Sequence, residues 1–212
     1  MGSIFKALVS VPEPNQARSR EALDRFLSAG EALLADNRYE EAGIADLARE
    51  AQSSVGTFYR LLTDKETLSL LLLQRFFTEI EFIVEDTFAP QHWQGKDITD
   101  IAETFSTVFV DTYHGRAGAL RATILRASKD ANFREQVHAL NNLISNRLGK
   151  LLKQRRDEIN HPKPEQAIKS VAHMVLGILN QHTITGTLGG LSQKALAEEL
   201  KRVFLTYLGV SR

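Results

Sequence analysis

The chain has no cysteine, and it has only one tryptophan and two methionines among its 212 residues. Without cysteine it forms no disulfide, no thiolate metal site and no cysteine nucleophile, which suits a reducing cytoplasm. The formal net charge is zero, with 26 lysines and arginines against 26 aspartates and glutamates. This excludes a uniformly basic nucleic-acid-binding coat. A local basic patch stays open, because phosphate contacts need only a few positioned cations.

Long apolar runs are also absent. The richest one, residues 68–73, is followed directly by Gln74 and Arg75, so no transmembrane helix is predicted and no membrane partner is expected. The opening residues lack the basic leader and the long apolar stretch of a secretory signal. We therefore expect a cytoplasmic protein.

Catalytic and metal-binding patterns are missing too. The chain contains neither a Gly-x-Ser-x-Gly elbow nor a Walker loop, and residues 186–190 do not form a Gly-x-Gly-x-x-Gly turn. Its six histidines include no pair at spacing i, i+4, which argues against a metal site on one helix. We expect no enzyme activity, no metal and no cofactor.

Helical periodicity is present almost throughout. Apolar residues recur at three- and four-residue spacing from about residue 18 onward, beginning with Leu23, Phe26 and Leu27. No stretch alternates apolar and polar residues in the manner of a strand. The sequence therefore predicts an all-α fold of about nine helices. Pro12 and Pro14 exclude the first residues from a continuing helix.

Residues 38–68 contain the most informative pattern. A short amphipathic helix, with Leu47 and Ala51 on its buried face, is followed by a tight turn and by a second short helix that begins at Ser54. Small Ala48 lets the two helices cross closely. This order of elements is typical of a helix-turn-helix, whose second helix lies in the major groove of DNA.

The stretch resembles the N-terminal DNA-binding domain of the tetracycline-repressor (TetR) family. The matching residues are Ile44-x-x-Leu47-Ala48, Ser54-x-Gly56-Thr57-Phe58-Tyr59 and Asp64-Lys65-Glu66-x-Leu68, preceded by an amphipathic helix at 18–35. The resemblance implies that a set of residues faces the major groove: Ser54, Val55, Gly56 and Thr57. It also implies that Tyr59 and Lys65 bind phosphates, and that Arg18 and Arg20 extend the phosphate or minor-groove contact from the arm.

Several positions depart from the family pattern. Gln52 stands where glycine usually supplies a positive φ, Ser53 where an apolar residue is usual, and Arg38 where glycine is common. Gly43, which we keep in the predicted DNA-binding set, lacks the hydroxyl that usually touches a phosphate there. Residues 1–65 hold ten acidic and eight basic side chains. DNA affinity must then come from cations gathered on one face and doubled in a dimer.

We divide the chain into a flexible arm (1–17), a helix-turn-helix domain (18–65) and a ligand-binding and dimerisation domain (66–212). The third region is rich in aromatic and aliphatic residues that suit a small apolar or amphipathic effector. The predicted lining is Trp93, Phe105, Phe109, Tyr113, Ile124, Phe133, Met174, Ile178 and His182. The alternative for each is a place in the core. The polar tips of Tyr113, His114 and His182 favour a role in orienting a ligand.

Two closing helices, at about 164–187 and 192–208, predict an association surface. Their apolar stripes consist of Ile168, Val171, Val175, Ile178 and Leu179, and of Leu196, Leu200, Val203, Phe204 and Tyr207. Two such helices from each of two copies would form a four-helix interface, as in the resembled family, with Gly177 permitting close approach. The alternative is that both stripes cover the chain's own core.

Together these expectations describe a homodimeric, ligand-responsive transcriptional regulator. It would repress by binding a palindromic operator in double-stranded DNA, and an unknown small-molecule effector would release it. Two other hypotheses stay open. One is a helical ligand- or partner-binding protein whose DNA-reading domain is degraded, and the other is a small helical enzyme.

Overall fold

A computed structural model describes residues 7–10 and 16–210 of the chain. Within these ranges the chain forms nine α-helices, two short 3-10 turns and no strand. The α-helices are α1 Ala17–Ala35, α2 Ile44–Glu50, α3 Val55–Leu61, α4 Lys65–Thr87, α5 Ile98–Gly115, α6 Ala117–Lys129, α7 Ala131–Lys153, α8 Pro164–Thr185 and α9 Gln193–Leu208. The predicted all-α fold of about nine helices is confirmed.

Several helices begin where a polar side chain caps their first turn. Ser54, Asp64 and Asp130 precede α3, α4 and α7, and each accepts a hydrogen bond from the N–H three residues ahead, at 3.0, 2.7 and 3.0 Å. Such caps satisfy amide donors that have no partner within the helix. The sequence predicts the helix start at Ser54, and that start is confirmed.

Helices α1 and α2 end in the same kind of turn. In each, the two residues after the cap donate their N–H groups to carbonyls of the last turn, at 3.1 and 2.8 Å. This hydrogen-bond pattern places one residue in the left-handed region, usually glycine. Here it is Asn37 with φ 58° after α1 and Gln52 with φ 47° after α2. The helix-turn-helix keeps its usual turn without the usual glycine.

We call α1, α2 and α3 the head. Their apolar faces meet at Phe26, Leu47 and Phe58, all fully buried, and the rings of Phe26 and Phe58 lie edge to face with centroids 5.3 Å apart. Leu68 and Leu72 from the first turns of α4 complete this small core. The head therefore has a hydrophobic centre of its own.

A larger core lies among the rest of α4 and α5 to α9, which we call the C-terminal domain. Phe105 of α5 packs on Phe204 of α9 with ring centroids 5.6 Å apart, and Phe77 of α4 packs on Phe133 of α7 at 5.6 Å. Helix α4 contributes to both cores. It is thus the continuous element between the head and the C-terminal domain.

Helix α6 forms a second connection, because it packs against the end of α1. A Cβ atom built on Gly118 of α6 would lie 2.2 Å from the carbonyl oxygen of Leu34, so the two backbones touch where only glycine fits. Beside this contact, Arg116 forms a two-pronged ion pair with Glu79 of α4. The start of α6 therefore contacts both α1 of the head and α4, the helix that follows the head.

Only part of the predicted flexible arm is described. The backbone N–H of Leu8 donates to the side chain of Gln74 at 3.0 Å, and the Leu8 side chain is half-buried against the larger core. Leu8 thus lies against α4, and Ala17 already belongs to α1. Residues 1–6 and 11–15, including Pro12 and Pro14, lie outside the described residues.

Candidate nucleic-acid interface and ligand cavity

Helix α3 presents an exposed face beside its buried anchor Phe58. Val55 is 41% exposed and Tyr59 57% exposed, Gly56 is exposed between them, and Thr57 is half-buried. The phenol ring of Tyr59 stands edge-on to Phe58, with centroids 5.7 Å apart, which supports the ring at its base. An exposed valine and an exposed tyrosine on a seven-residue helix leave apolar and aromatic groups available to a partner.

The start of α3 is held by two hydroxyl groups. The Ser54 hydroxyl accepts the Thr57 N–H at 3.0 Å and lies 2.9 Å from the Thr57 hydroxyl. Both side chains are thereby oriented while Ser54 stays exposed. The four residues predicted to face the major groove occur together at the start of one helix, with Tyr59 one turn away.

Lys65 is less free than its predicted role suggests. Its ammonium donates to the carbonyl oxygen of Glu40 at 2.9 Å and lies 4.9 Å from the centroid of the Tyr39 ring. The Tyr39 hydroxyl in turn donates to the Lys65 carbonyl at 3.0 Å. An ammonium group has three donors, so one bond to Glu40 leaves two for a phosphate. Burial raises the pKa of Tyr39, and the neighbouring acids Glu40 and Glu66 raise it further.

Arg18 and Arg20 are exposed on the first turn of α1. The prediction that they act from an arm is therefore corrected, because helical backbone fixes their direction. Gly43 precedes α2, and its N–H donates to the Asp46 carboxylate at 2.9 Å. That amide is already used within the helix cap and is not available to a phosphate.

Two arginines that the sequence analysis does not assign tie the head together. Arg25 donates to the carbonyl of Ala51 at 3.1 Å, which holds α1 to the turn before α3. Arg60 donates to the hydroxyl of Ser19 at 3.1 Å, which holds α3 to the first turn of α1. Both partners are distant in sequence, so no local pattern could indicate these contacts.

Two carboxylates stabilise the frame of the head electrostatically. The N–H of Gly43 and the guanidinium of Arg49 hold the pKa of Asp46 below its ordinary value. The N–H of Thr67 does the same for the pKa of Asp64. Both acids cap helices, so part of the negative charge counted among residues 1–65 accepts hydrogen bonds from backbone N–H groups.

Four of the nine residues of the predicted ligand lining are buried in the core. Phe105, Phe109 and Phe133 are buried against other side chains, so the prediction that they line a pocket is wrong for these three. Trp93 is buried as well, but it borders a separate cleft of about 370 Å³ at the start of α5. Met174 is 46% exposed on α8. Ile124 and Ile178 are half-buried at the margin of the core. Close packing of large aromatic rings leaves no room between them for a ligand.

A cavity of about 440 Å³ does exist elsewhere, where the ends of α5 and α8 meet the starts of α6 and α9. We call it the lateral cavity. Its lining is Val110, Tyr113, His114, Ala117, Leu179, His182, Thr183, Gly189, Leu191, Ser192, Gln193 and Leu196. Two residues of the predicted lining, Tyr113 and His182, belong to it.

The polar groups of the lateral cavity are held in fixed orientations. The Tyr113 hydroxyl donates to the side-chain oxygen of Asn180 at 2.8 Å, and burial raises the pKa of Tyr113. Nδ1 of His182 accepts the N–H of Leu188 at 3.2 Å. An accepting Nδ1 places the hydrogen of a neutral imidazole on Nε2.

The predicted association stripes also have to be corrected. Seven of their residues are buried inside the chain itself: Ile168, Val171, Val175, Leu179, Leu196, Leu200 and Phe204. A side chain covered within one chain offers no surface to a second copy. Val203 is 41% exposed, and Tyr207 is half-buried with its ring 5.1 Å from that of His161. A different α8 face is open to solvent, formed by Met174, Gly177, Gln181 and Ile184.

Among residues 7–10 and 16–210, no group of three or more histidine, aspartate or glutamate side chains is placed to hold a metal ion. None of the described helices combines the length and the apolar character that crossing a bilayer requires.

Comparison with known proteins decides the family. The model of the tetracyclin repressor-like C-terminal domain matches residues 97–208, more than half of the chain. This chain belongs to the TetR family. Its lateral cavity lies within the matched domain, and its head has the helix-turn-helix order expected from the sequence. No curated protein matches the chain in sequence.

Solved TetR-family structures share the fold. A putative TetR-family transcriptional regulator from Mesorhizobium loti aligns with TM-score 0.71 at 16% identity, covering 92% of this chain and 98% of that one. A TetR-family regulatory protein from Rhodococcus aligns at 0.68 and 14%, covering 90% and 98%. The regulator FadR from Bacillus subtilis, in complex with stearoyl-CoA, aligns at 0.64 and 15%, covering 87% and 98%. This TetR-family chain thus has the regulators' fold over nearly its full length.

Proposed function

We propose that this TetR-family protein is a transcriptional repressor that binds a palindromic operator as a homodimer and is released by a small-molecule effector. The observation that carries the proposal is the exposed face of α3, held in place by a capped start and by Phe58 beneath it. Side chains of a recognition helix must be both exposed and rigidly held if they are to read base edges.

The proposed DNA contacts divide into two groups. Ser54, Val55, Gly56 and Thr57 approach base edges in the major groove, where the valine side chain suits a thymine methyl group. Arg18, Arg20, Tyr59 and Lys65 contact phosphates, which position the domain without specifying sequence. Gly43 is left out of these contacts, because Asp46 already accepts its N–H.

The proposed dimer uses the exposed sides of α8 and α9. Met174, Gly177, Gln181 and Ile184 follow each other at helical spacing on α8, and Val203 is exposed on α9. Two apolar side chains beside a glycine permit close helix packing across a two-fold axis. Such a dimer would place two α3 helices one DNA turn apart, about 34 Å.

The test is DNA selection from a random duplex library with the full-length protein, followed by gel shift on the selected sequence. We expect Tyr59→Ala and Lys65→Ala to weaken binding to every bound sequence, with Lys65→Ala lowering the slope of log affinity against log salt by about 1. Phe82→Ala and Lys169→Ala serve as matched controls, since both residues are exposed outside the head.

The outcomes test the assigned phosphate contacts and the repressor proposal separately. Unchanged affinity in both head variants would show that the phosphate contacts are wrongly assigned. If no sequence is enriched, although the protein is a stable dimer, the repressor proposal fails. That result would favour the alternative of a ligand-binding protein with a degraded DNA-reading head, for which the departures at Gln52 and Gly43 are the structural argument.

A further inference from the structure

Resting on the proposed function, we infer that the effector site is the lateral cavity and that its ligand is a small, uncharged molecule that accepts a hydrogen bond. The cavity lies outside the aromatic core that the sequence suggested as a pocket. At about 440 Å³ it falls within the range of small-molecule sites, about 300–1,000 Å³.

The lining decides the chemistry of the ligand. Val110, Leu179 and Leu196 supply apolar walls, and the polar groups among the described residues are hydroxyl, amide and imidazole groups, with no lysine, arginine, aspartate or glutamate. An ion taken from water into such a site would lose hydration without gaining a compensating charge, which is unfavourable. An uncharged ligand avoids that cost.

His182 supplies a hydrogen-bond donor of fixed orientation, and the exposed lining residues His114, Ser192 and Gln193 add further donors at the mouth of the cavity. Because its Nδ1 is engaged by Leu188, its Nε2–H is the donor left for a ligand. The Tyr113 hydroxyl already donates to Asn180, so it offers a lone pair only. The Thr183 hydroxyl donates to the Leu179 carbonyl at 2.9 Å and is engaged in the same way. A ligand oxygen that accepts from His182 therefore matches what the site has to offer.

The same lining argues against one class of effector, the acyl-CoA found in a solved structure of the same fold. The FadR structure from Bacillus subtilis holds stearoyl-CoA, an acyl thioester whose nucleotide carries several phosphate charges. Arginine and lysine bind phosphate through strong charge-assisted hydrogen bonds. The described lining has neither, so we expect this chain to take a different class of ligand.

The position of the cavity connects it to the head. His114 and Ala117 line the lateral cavity on one side of the α5–α6 turn, and they line a cleft of about 310 Å³ against α1 and α4 on the other. Directly after this turn, Gly118 touches the backbone of Leu34, and Arg121 donates to Asn37 at 3.2 Å. A ligand that moves the turn therefore acts on the end of α1.

Regulation then requires that the ligand bind one position of the turn more tightly than the other. Coupling of this kind typically changes affinity by about 5–150-fold. The head is a rigid unit around Phe26 and Phe58, so a shift at the end of α1 moves α3 with it. The spacing of two such helices in the dimer decides operator affinity.

The absence of cysteine makes a direct test possible. Gln193→Cys places one thiol in the lining, and Leu191→Cys provides a second attachment point. Each is labelled with benzyl methanethiosulfonate, which is neutral, or with its trimethylammonium-ethyl counterpart, which is charged. Gln154→Cys, exposed at the end of α7 and outside the lining of the lateral cavity, is the matched control. Operator affinity and thermal midpoint are measured before and after labelling.

We expect the benzyl adduct at residue 193 or 191 to change operator affinity by about 5–150-fold and to raise the midpoint above that of the charged adduct. Adducts at residue 154 should do neither. Equal effects at all three positions would overturn the site, and a response to stearoyl-CoA added to the wild-type protein would overturn the ligand class. If the unlabelled protein selects no DNA, the proposed function fails, while the midpoints still test the site.

Discussion

In the head, Val55 and Tyr59 stand open to solvent on a short helix, whereas Phe105 and Phe109 of the C-terminal domain are completely enclosed. Both pairs belong to sets that sequence reasoning selects as functional. The head pair follows from a local motif whose residues are spaced for one exposed helix face. The other pair follows from periodicity alone, which identifies a helix face but not what covers it. Local motifs thus predict exposed sites better than apolar stripes predict pockets.

The largest effect on stability should come from removing a buried aromatic ring from either core. Phe58→Ala and Phe105→Ala each remove a fully buried ring and should cost about 3–5 kcal/mol. Because the head has its own core, Phe58→Ala should abolish DNA binding while the fluorescence of Trp93, buried in the C-terminal domain, keeps its unfolding transition. Phe105→Ala should lower that transition. Identical unfolding curves for the two variants would mean that the cores are not separable.

The next effect concerns the junction between the two regions. Gly118→Ala should destabilise the protein by about 1–3 kcal/mol, because its Cβ would meet the Leu34 backbone. Gly149→Ala in α7 is the control, since its Cβ would lie 3.6 Å from Ile168, an ordinary contact. That variant should gain up to about 1 kcal/mol of helix propensity. Urea titration measures both, and a neutral Gly118→Ala would refute the backbone contact.

A smaller gain is expected in the turn of the helix-turn-helix. Gln52→Gly should stabilise the head by about 1 kcal/mol, because it removes the cost of a left-handed non-glycine residue. Asn37→Gly is the comparison, and it should gain less, since asparagine tolerates this conformation and Asn37 also accepts from Arg121. Thermal unfolding of both variants should show this order. The reverse order would mean that Gln52 is not strained.

The smallest effect should appear at acid pH. Asp46 and Asp64 have lowered pKa values, so their contribution to stability is complete above the unfolded value of about 3.9 and is lost as pH falls through the folded values. Asp64→Asn keeps the capping oxygen but not the titration. Its unfolding midpoint should therefore fall less steeply below pH 4 than that of the wild type, as followed by circular dichroism. If the midpoints of the two proteins fall in parallel as the pH is lowered, Asp64 does not contribute to the loss of stability in acid.

Prediction succeeds in this protein where the cause of a structure is local. Caps such as Ser54 and Asp64 act within three residues, and the spacing of Leu47, Ala51 and Phe58 places them inside the head. The helix-turn-helix and the helix count both follow from interactions of this range. The resemblance to the family also rests on local motifs, and the match of the C-terminal domain to the family supports it.

Prediction fails where the cause is a neighbour distant in sequence. Leu196 and Leu200 look like an association stripe, yet α5 and the rest of the core cover them. The lateral cavity joins Tyr113 to His182, and Lys65 meets Glu40 across 25 residues. Periodicity marks which side of a helix is apolar, and an apolar side serves a core, a pocket or a partner equally well.

From residue spacing and capping chemistry alone, one can derive about nine helices and a short helix that begins at Ser54, because each depends on backbone preferences over a few residues. The strained turn at Gln52 follows from comparison with the family pattern, in which glycine is usual there. Only the packed chain decides which apolar faces are already covered, where an open space remains beside His182 and how Gly118 joins that space to the head. Those features depend on which helices become neighbours, and that depends on the shape of the whole core.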